Sequence, residues 1–341
     1  MVDTATADLL ANAEWLAHRY DPQHDAFHYR FVPRARHATV PFITDDCLGV
    51  EPSPVIIARG NAVQAVSSRA PIHFIFHSAY CASTMLVRAL DVPGSAMGLS
   101  EPVVLNDMIG WRRRGAEPRH HAQVLVDTIG QLARPYAPGE SLVIKPSNIF
   151  NGLAAQSLSL FPHARALLLY APLPDFLLSV ARKGLWCRLW TRELLEGMLH
   201  DGLVDLGFEP RDFFRQSDLQ VAAVGWLAQQ ALFHRLADAF GPARIASLDS
   251  ETLTREPADA VARVARHFAL PGCERGRAAY ADHPSIARNS KSGKRFVAGE
   301  RQSDQQAARR AYGEEIDQVT VWARAVAERA GVAMDLPLPL S

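Results

Sequence analysis

The sequence has no Cys-x-x-Cys pair. Its four cysteines, Cys47, Cys81, Cys187 and Cys273, are scattered, which fits neither a zinc cluster nor a disulfide-dense module. Nor is there an excess of charge, since 36 basic residues face 36 acidic ones, so no global field draws the chain toward nucleic acid or an acidic membrane surface. The unbroken run of about 18 apolar residues that a membrane span requires is missing. The opening stretch MVDTATADLLANAEWLAHRY lacks the basic start and continuous apolar core of a signal peptide. Together these absences lead us to expect a cytoplasmic protein in a reducing compartment, with neither a nucleic-acid nor a membrane partner; oligomeric state stays open.

What is present is enough for a large core: 341 residues, 48% of them hydrophobic and 21% charged. From Pro71 onward, apolar β-type runs alternate with amphipathic stretches, the pattern of a parallel sheet flanked by helices. Candidate strands are Ile72 to Phe76, Ala96 to Ser100, Ser141 to Lys145, Ala166 to Tyr170 and Arg244 to Leu248, nearly continuous apolar runs suited to burial on both faces. Apolar spacing predicts helices over 83–91, 119–135, 151–160, 173–183, 188–206, 217–240, 255–269 and 303–331. The expected fold is α/β, with a parallel sheet of about five strands over residues 66–335. Residues 1–65 form an N-terminal appendage, a helix over 4–20 followed by short strands or loops.

The most informative stretch is PIHFIFHSAYCASTMLVRALD, Pro71 to Asp91. It reads as strand, loop and helix, with Ser78, Ala79, Tyr80, Cys81, Ala82, Ser83 and Thr84 in the loop. In open α/β sheets ligands sit beyond the carboxyl ends of strands, where a helix N-terminus offers free amides to an anion. A nucleotide loop of the GxxxxGK[ST] type is absent, because Ala82 and Ser83 stand where its Gly and Lys would be. With no Arg or Lys in the loop, an anion must be held by backbone amides and by the hydroxyls of Ser83 and Thr84. These two residues also suit a plain helix cap. His77, beside the loop, is a candidate base; His120 and His121 begin a polar helix and are expected in solvent. Trp186 and Trp190 are packing residues or walls of an acceptor pocket.

AYCASTMLVRAL resembles the loop with which sulfotransferases bind the 5′-phosphosulfate of the donor PAPS, with Tyr80 in the basic position, Cys81 for Ser and Ala82 for Gly. Further segments resemble that family in the same order. LSEP at 99–102 implies Glu101 as the catalytic base, and LVIKPSNIFNGL implies Lys145 as the cation beside the leaving oxygen. LLLYAPLPDFLLSVARKG is similar to the segment that holds the 3′-phosphate, with Ser179 at the serine and Tyr170 where an arginine is expected. LDSETLTREP resembles a Glu-x-Leu…Pro segment, and RNSKSGKRF a late basic loop over the nucleotide. On this resemblance the missing loop charge falls to Lys145, Arg182, Lys183, Lys291, Lys294 and Arg295.

The resemblance implies sulfuryl transfer from PAPS, releasing PAP, to a hydroxyl or amine of a small molecule, glycan or peptide, with no metal required. Two other readings of the same loop stay open. One is a phosphotransferase of the P-loop kinase type, which needs a magnesium-binding Asp at a strand end. The other is a non-catalytic nucleotide- or anion-binding module on the same fold.

Overall fold

The computed structural model describes residues 4–37, 39–66, 68–287 and 300–340. Five strands, β4 (Ile72–His77), β5 (Ala96–Ser100), β6 (Ser141–Lys145), β7 (Arg165–Tyr170) and β8 (Ile245–Asp249), form one sheet in the order β5-β6-β4-β7-β8. β6 pairs in parallel with both β4 and β5, in register from Ile72 with Leu142 and from Ala96 with Ser141. All residues of β4, β5 and β6 are buried, as expected for a sheet covered on both faces by helices. The expected α/β fold and its five strands are therefore present, each strand within a residue or so of its predicted bounds.

Three further strands precede them: β1 (Trp15–Asp21), β2 (Ala26–Phe31) and β3 (Val55–Ala58) form an antiparallel sheet in that order. This corrects the helix expected over 4–20. Only Thr4–Ala11 is helical. Asn12 ends it, because its side-chain oxygen accepts the Glu14 amide and its carbonyl the Trp15 amide, local bonds that compete with a continued helix. The following WLAHRYD is then free to pair with β2, bulging between Ala17 and Arg19.

By packing, the chain divides into two compact units. The first comprises the described residues of 1–76, 83–166 and 257–294. It contains the antiparallel sheet, β5, β6, and helices that include Ser83–Leu90, Val104–Arg113 and Pro118–Leu132. Pro118–Leu132 is capped by the Glu117 carboxylate, which accepts the amides of Arg119 and His120. The apolar spacing signalled Ser83–Leu90 and Pro118–Leu132 but not Val104–Arg113, whose buried face is only Val104, Leu105, Met108 and Ile109.

The second unit comprises residues 77–82, 167–256 and the described part of 295–341. Its helix Leu173–Arg182 follows β7 directly, with Pro174 in its first turn, where a missing amide costs nothing. Gly184, at φ 71°, breaks the chain into the next helix, Leu185–His200. Ser217 and Gln220 form a capping box on the long helix Asp218–Phe240. The edge of β8 is covered by the C-terminal tail: Ser247 donates its amide to Leu338 and accepts that of Leu340.

Candidate functional site

β4 ends at His77 and the chain turns through Ser78–Ala82 without a single glycine. Ala79, Tyr80 and Ala82 nevertheless take φ values of 72°, 54° and 61°. An L-residue in this left-handed region costs roughly 1–2 kcal/mol, so the turn must be held by its surroundings. Backbone bonds do part of this. The Ser78 amide donates to the Leu169 carbonyl at 3.0 Å, the Ser78 hydroxyl accepts the Ala171 amide at 3.1 Å, and the Ala79 amide donates to His77 Nδ1 at 3.1 Å. The last bond makes Nδ1 the acceptor nitrogen and leaves the proton of the neutral ring on Nε2.

Tyr80 does the rest. Its phenol oxygen is hydrogen-bonded to the Cys187 thiol at 2.8 Å, and its ring meets Phe176 and Trp190 at centroid distances of 6.0 and 5.8 Å. Lys183 Nζ stands over the same ring, 5.5 Å from its centre. Burial first, and the Cys187 bond second, push the phenol well above its ordinary pKa, so it stays a neutral anchor. Cys81 is fully buried, a packed thiol. Ser83 and Thr84, both buried, open the helix Ser83–Leu90, whose first-turn amides have no intrahelical acceptor.

A cavity of about 470 Å³ opens in the second unit. Tyr80 and Ala82 form one wall. Helix Leu173–Arg182 gives Asp175, Leu178, Ser179 and Arg182, whose three- and four-residue spacing puts them on one face. Helix Ser250–Arg255 gives Glu251, Thr254 and Arg255 by the same spacing. Glu251 is hydrogen-bonded to Asp175, and that bond, with burial next, raises the Glu251 pKa. Arg309 reaches Asp175 at 3.9 Å, and Arg255 lies 3.8 Å from Glu256. Arg182 is exposed and has no carboxylate partner among the described residues.

Tyr170 closes β7 where the resemblance expects an arginine. It is 8% exposed, and burial, reinforced by Asp335 and Asp249, pushes its phenol up to about 12. The backbone of Leu336, in the tail beside β8, hydrogen-bonds it. The strand end is therefore a capped, acidic corner.

In the first unit, Glu101 and Lys145 follow the same strand-end logic. Ser100 and Lys145 are register partners in β5 and β6, and the Glu101 amide donates to the Lys145 carbonyl at 2.7 Å. The two side chains form an ion pair. Lys145 is fully buried, with its ammonium 4.8 Å from the centre of the Phe42 ring. Glu101 has φ 50° immediately before Pro102, a position that ordinarily favours extended backbone. Strain of this kind persists only where surrounding contacts over-determine it.

Of the residues singled out in the sequence, the structure gathers Tyr80, Ala82, Ser179 and Arg182 around the cavity, and pairs Glu101 with Lys145. Ser78, Ala79 and Cys81 build the turn without lining the cavity. Lys291, Lys294 and Arg295 lie outside the described residues. Sequence reasoning missed Asp175, Glu251, Thr254 and Arg255 as wall residues. The signal was available: Asp175 and Glu251 sit in the first helical turns after β7 and β8, the strand ends where ligands bind. His121 corrects another expectation. It is buried rather than solvated, its Nε2 bonded to the Met108 carbonyl at 3.0 Å. Trp186 is 67% exposed, whereas Trp190 packs edge-on against Tyr80. Among the described residues no group of three or more His, Cys, Asp or Glu is arranged to hold a metal ion, and no helix is long and apolar enough to cross a membrane.

No protein-family model matches the chain, and no curated protein matches it. Solved structures do. A sulfotransferase domain from the curacin biosynthetic pathway is 15% identical, with 80% of this chain and 95% of that one covered, at a TM-score of 0.41. A sulfotransferase from Alicyclobacillus acidocaldarius is also 15% identical, covering 77% and 94%, at 0.41. Sulfotransferase STF9 from Mycobacterium avium is 13% identical, covering 75% and 78%, at 0.42. Superpositions this loose carry no weight for chemistry, which has to be argued from the residues.

Proposed function

We propose that the protein transfers a sulfuryl group from a nucleotide 5′-phosphosulfate, a donor of the PAPS class, to a hydroxyl or amine of an acceptor. One observation carries this reading: residues about a hundred positions apart, Tyr80 and Ala82 in the loop and Ser179 and Arg182 in the helix after β7, wall a single cavity. A nucleotide of this kind, when bound, supplies an activated sulfuryl group and a phosphate leaving group. The loop suits its 5′ end. The amides at the start of helix Ser83–Leu90 and the hydroxyls of Ser83 and Thr84 are donors for an anion, and in the cavity Arg182 is a cation without a carboxylate partner among the described residues. The strand end at Tyr170, where the resemblance puts an arginine for the 3′-phosphate, is a poor match for that group, because Tyr170 is neutral and flanked by acids.

Glu101 takes the acceptor's proton, and Lys145 orients its carboxylate through their ion pair. With Lys145 buried, its charge is fixed in a low-dielectric place and needs no reorganisation as negative charge develops. Positioning and fixed charge are what an in-line transfer asks of a protein. The test incubates the protein with PAPS or adenosine 5′-phosphosulfate and an acceptor panel of phenols, alkyl alcohols, amines and sugars, and follows sulfated product by mass. Product that disappears in Glu101→Gln supports the reading. Failure of the protein to bind either donor refutes it.

A further inference from the structure

Among the described residues the cavity has one cation without a carboxylate partner but must, for PAPS, satisfy two separated anionic groups. Its walls carry two guanidinium groups, Arg182 and Arg255, against two carboxyls, Asp175 and Glu251. Arg255 is turned to Glu256 at 3.8 Å, and Asp175 draws Arg309 to 3.9 Å, so only Arg182 has no carboxylate partner among the described residues. The strand-end corner is no better for a second anion, since Tyr170 is flanked by Asp249 and Asp335 and occupied by the backbone of Leu336. Adjacent carboxyls suit hydroxyl groups instead. They accept hydrogen bonds from neighbouring ribose alcohols, and they repel a phosphate placed at the same carbon.

Resting on the reading above, we infer that this cavity selects a nucleoside 5′-phosphosulfate whose ribose 3′ position is a free hydroxyl, with Asp175 and Glu251 as the specificity-determining pair that recognises the ribose and rejects a 3′-phosphate. Arg182 serves the 5′ phosphosulfate end. The pair sits on two different helices, each in a first turn, so the carboxyls are held by backbone that follows β7 and β8 directly. Replacing either carboxyl by its amide removes the repulsion while keeping a hydrogen-bonding group of the same shape.

The experiment is a calorimetric titration of the full chain, without acceptor, using two matched pairs of probes: adenosine 5′-phosphosulfate against PAPS, and AMP against PAP. Within each pair the 5′ end is constant and only the 3′ group changes. The expected result is at least tenfold tighter binding of the 3′-hydroxyl member of each pair. In the double variant Asp175→Asn, Glu251→Gln, that preference should shrink at least fivefold, with the folded state checked by circular dichroism. Equal or tighter binding of the 3′-phosphorylated member overturns the inference while leaving sulfuryl transfer intact. An undiminished preference in the double variant overturns the assignment to this pair. Absence of binding by all four probes overturns both the inference and the function on which it rests.

Discussion

Tyr80 and Cys187, 107 positions apart in the chain, meet side chain to side chain at 2.8 Å. This contact, with the rings of Phe176 and Trp190, is what allows a loop of ordinary residues to hold a backbone shape that usually calls for glycine. Tyr80→Phe should therefore cost about 1 kcal/mol, the net worth of a hydrogen bond, and Tyr80→Ala about 2–4 kcal/mol as the ring contacts go too. Denaturant midpoints at constant m-value measure both. A Tyr80→Ala variant as stable as wild type would show that the loop is not held from this side chain.

The strain itself is testable at Ala82. With φ at 61°, Ala82→Gly should stabilise the protein by about 0.5–1 kcal/mol, because relief of the left-handed penalty outweighs glycine's extra unfolded entropy. The control is Ala155→Gly in the exposed face of helix Ala154–Leu160, where the same change should cost about 1 kcal/mol. Thermal denaturation of the two variants side by side should show shifts of opposite sign. Shifts of the same sign would contradict the strained turn.

Much of this was legible in the sequence, and the division is instructive. The buried strands stood out because each is an unbroken apolar run between polar turns, a signal of local composition. Ser179 was singled out by its place in a segment that resembles the family's 3′-phosphate segment, and Arg182 as a cation close to it in the chain. Asp175 and Glu251 were not singled out, since their interest lies in meeting each other from different helices, a tertiary fact. The helix expected over 4–20 failed for a related reason: WLAHRYD has acceptable helical spacing, and only pairing with β2 and the Asn12 turn make it a strand. His121 looked like a surface residue from its polar neighbours, whereas its side chain is drawn in by the Met108 carbonyl.

His73 gives an acid limit to stability. It lies in β4, stacked on Phe268 at 5.0 Å, and burial lowers its pKa from 6.5 to about 3, with the Arg165 charge a smaller cause. A depressed folded-state value means that the neutral ring stabilises the fold fully above about 6.5, and that this contribution is lost as pH falls toward 3. In His73→Phe the dependence of unfolding free energy on pH in that window should flatten by up to about 1.4 kcal/mol per pH unit, one proton's share. Urea titrations between pH 7 and about 4 measure it. An unchanged slope would mean that His73 charges equally in both states.

Glu101 and Lys145 should behave as a unit. Removing the buried cation in Lys145→Met takes away the ammonium that pairs with Glu101 and should cost about 3–5 kcal/mol in stability. Glu101→Gln keeps the shape and should leave a folded protein that binds donor normally yet transfers about 10²–10⁴-fold more slowly. A double-mutant cycle on unfolding gives the coupling. Additive effects would indicate that the ion pair contributes nothing as a pair.

The most direct measurement is binding of a nucleoside 5′-phosphosulfate, with or without a 3′-phosphate, to wild type and to Arg182→Glu. Wild type should bind at least one of the two, and reversal of the Arg182 charge should weaken that binding by about 10–100-fold, the range for a lost charge-assisted hydrogen bond. Binding that is absent from wild type, or unaltered in Arg182→Glu, would contradict a donor site built from the loop after β4 and the helix after β7.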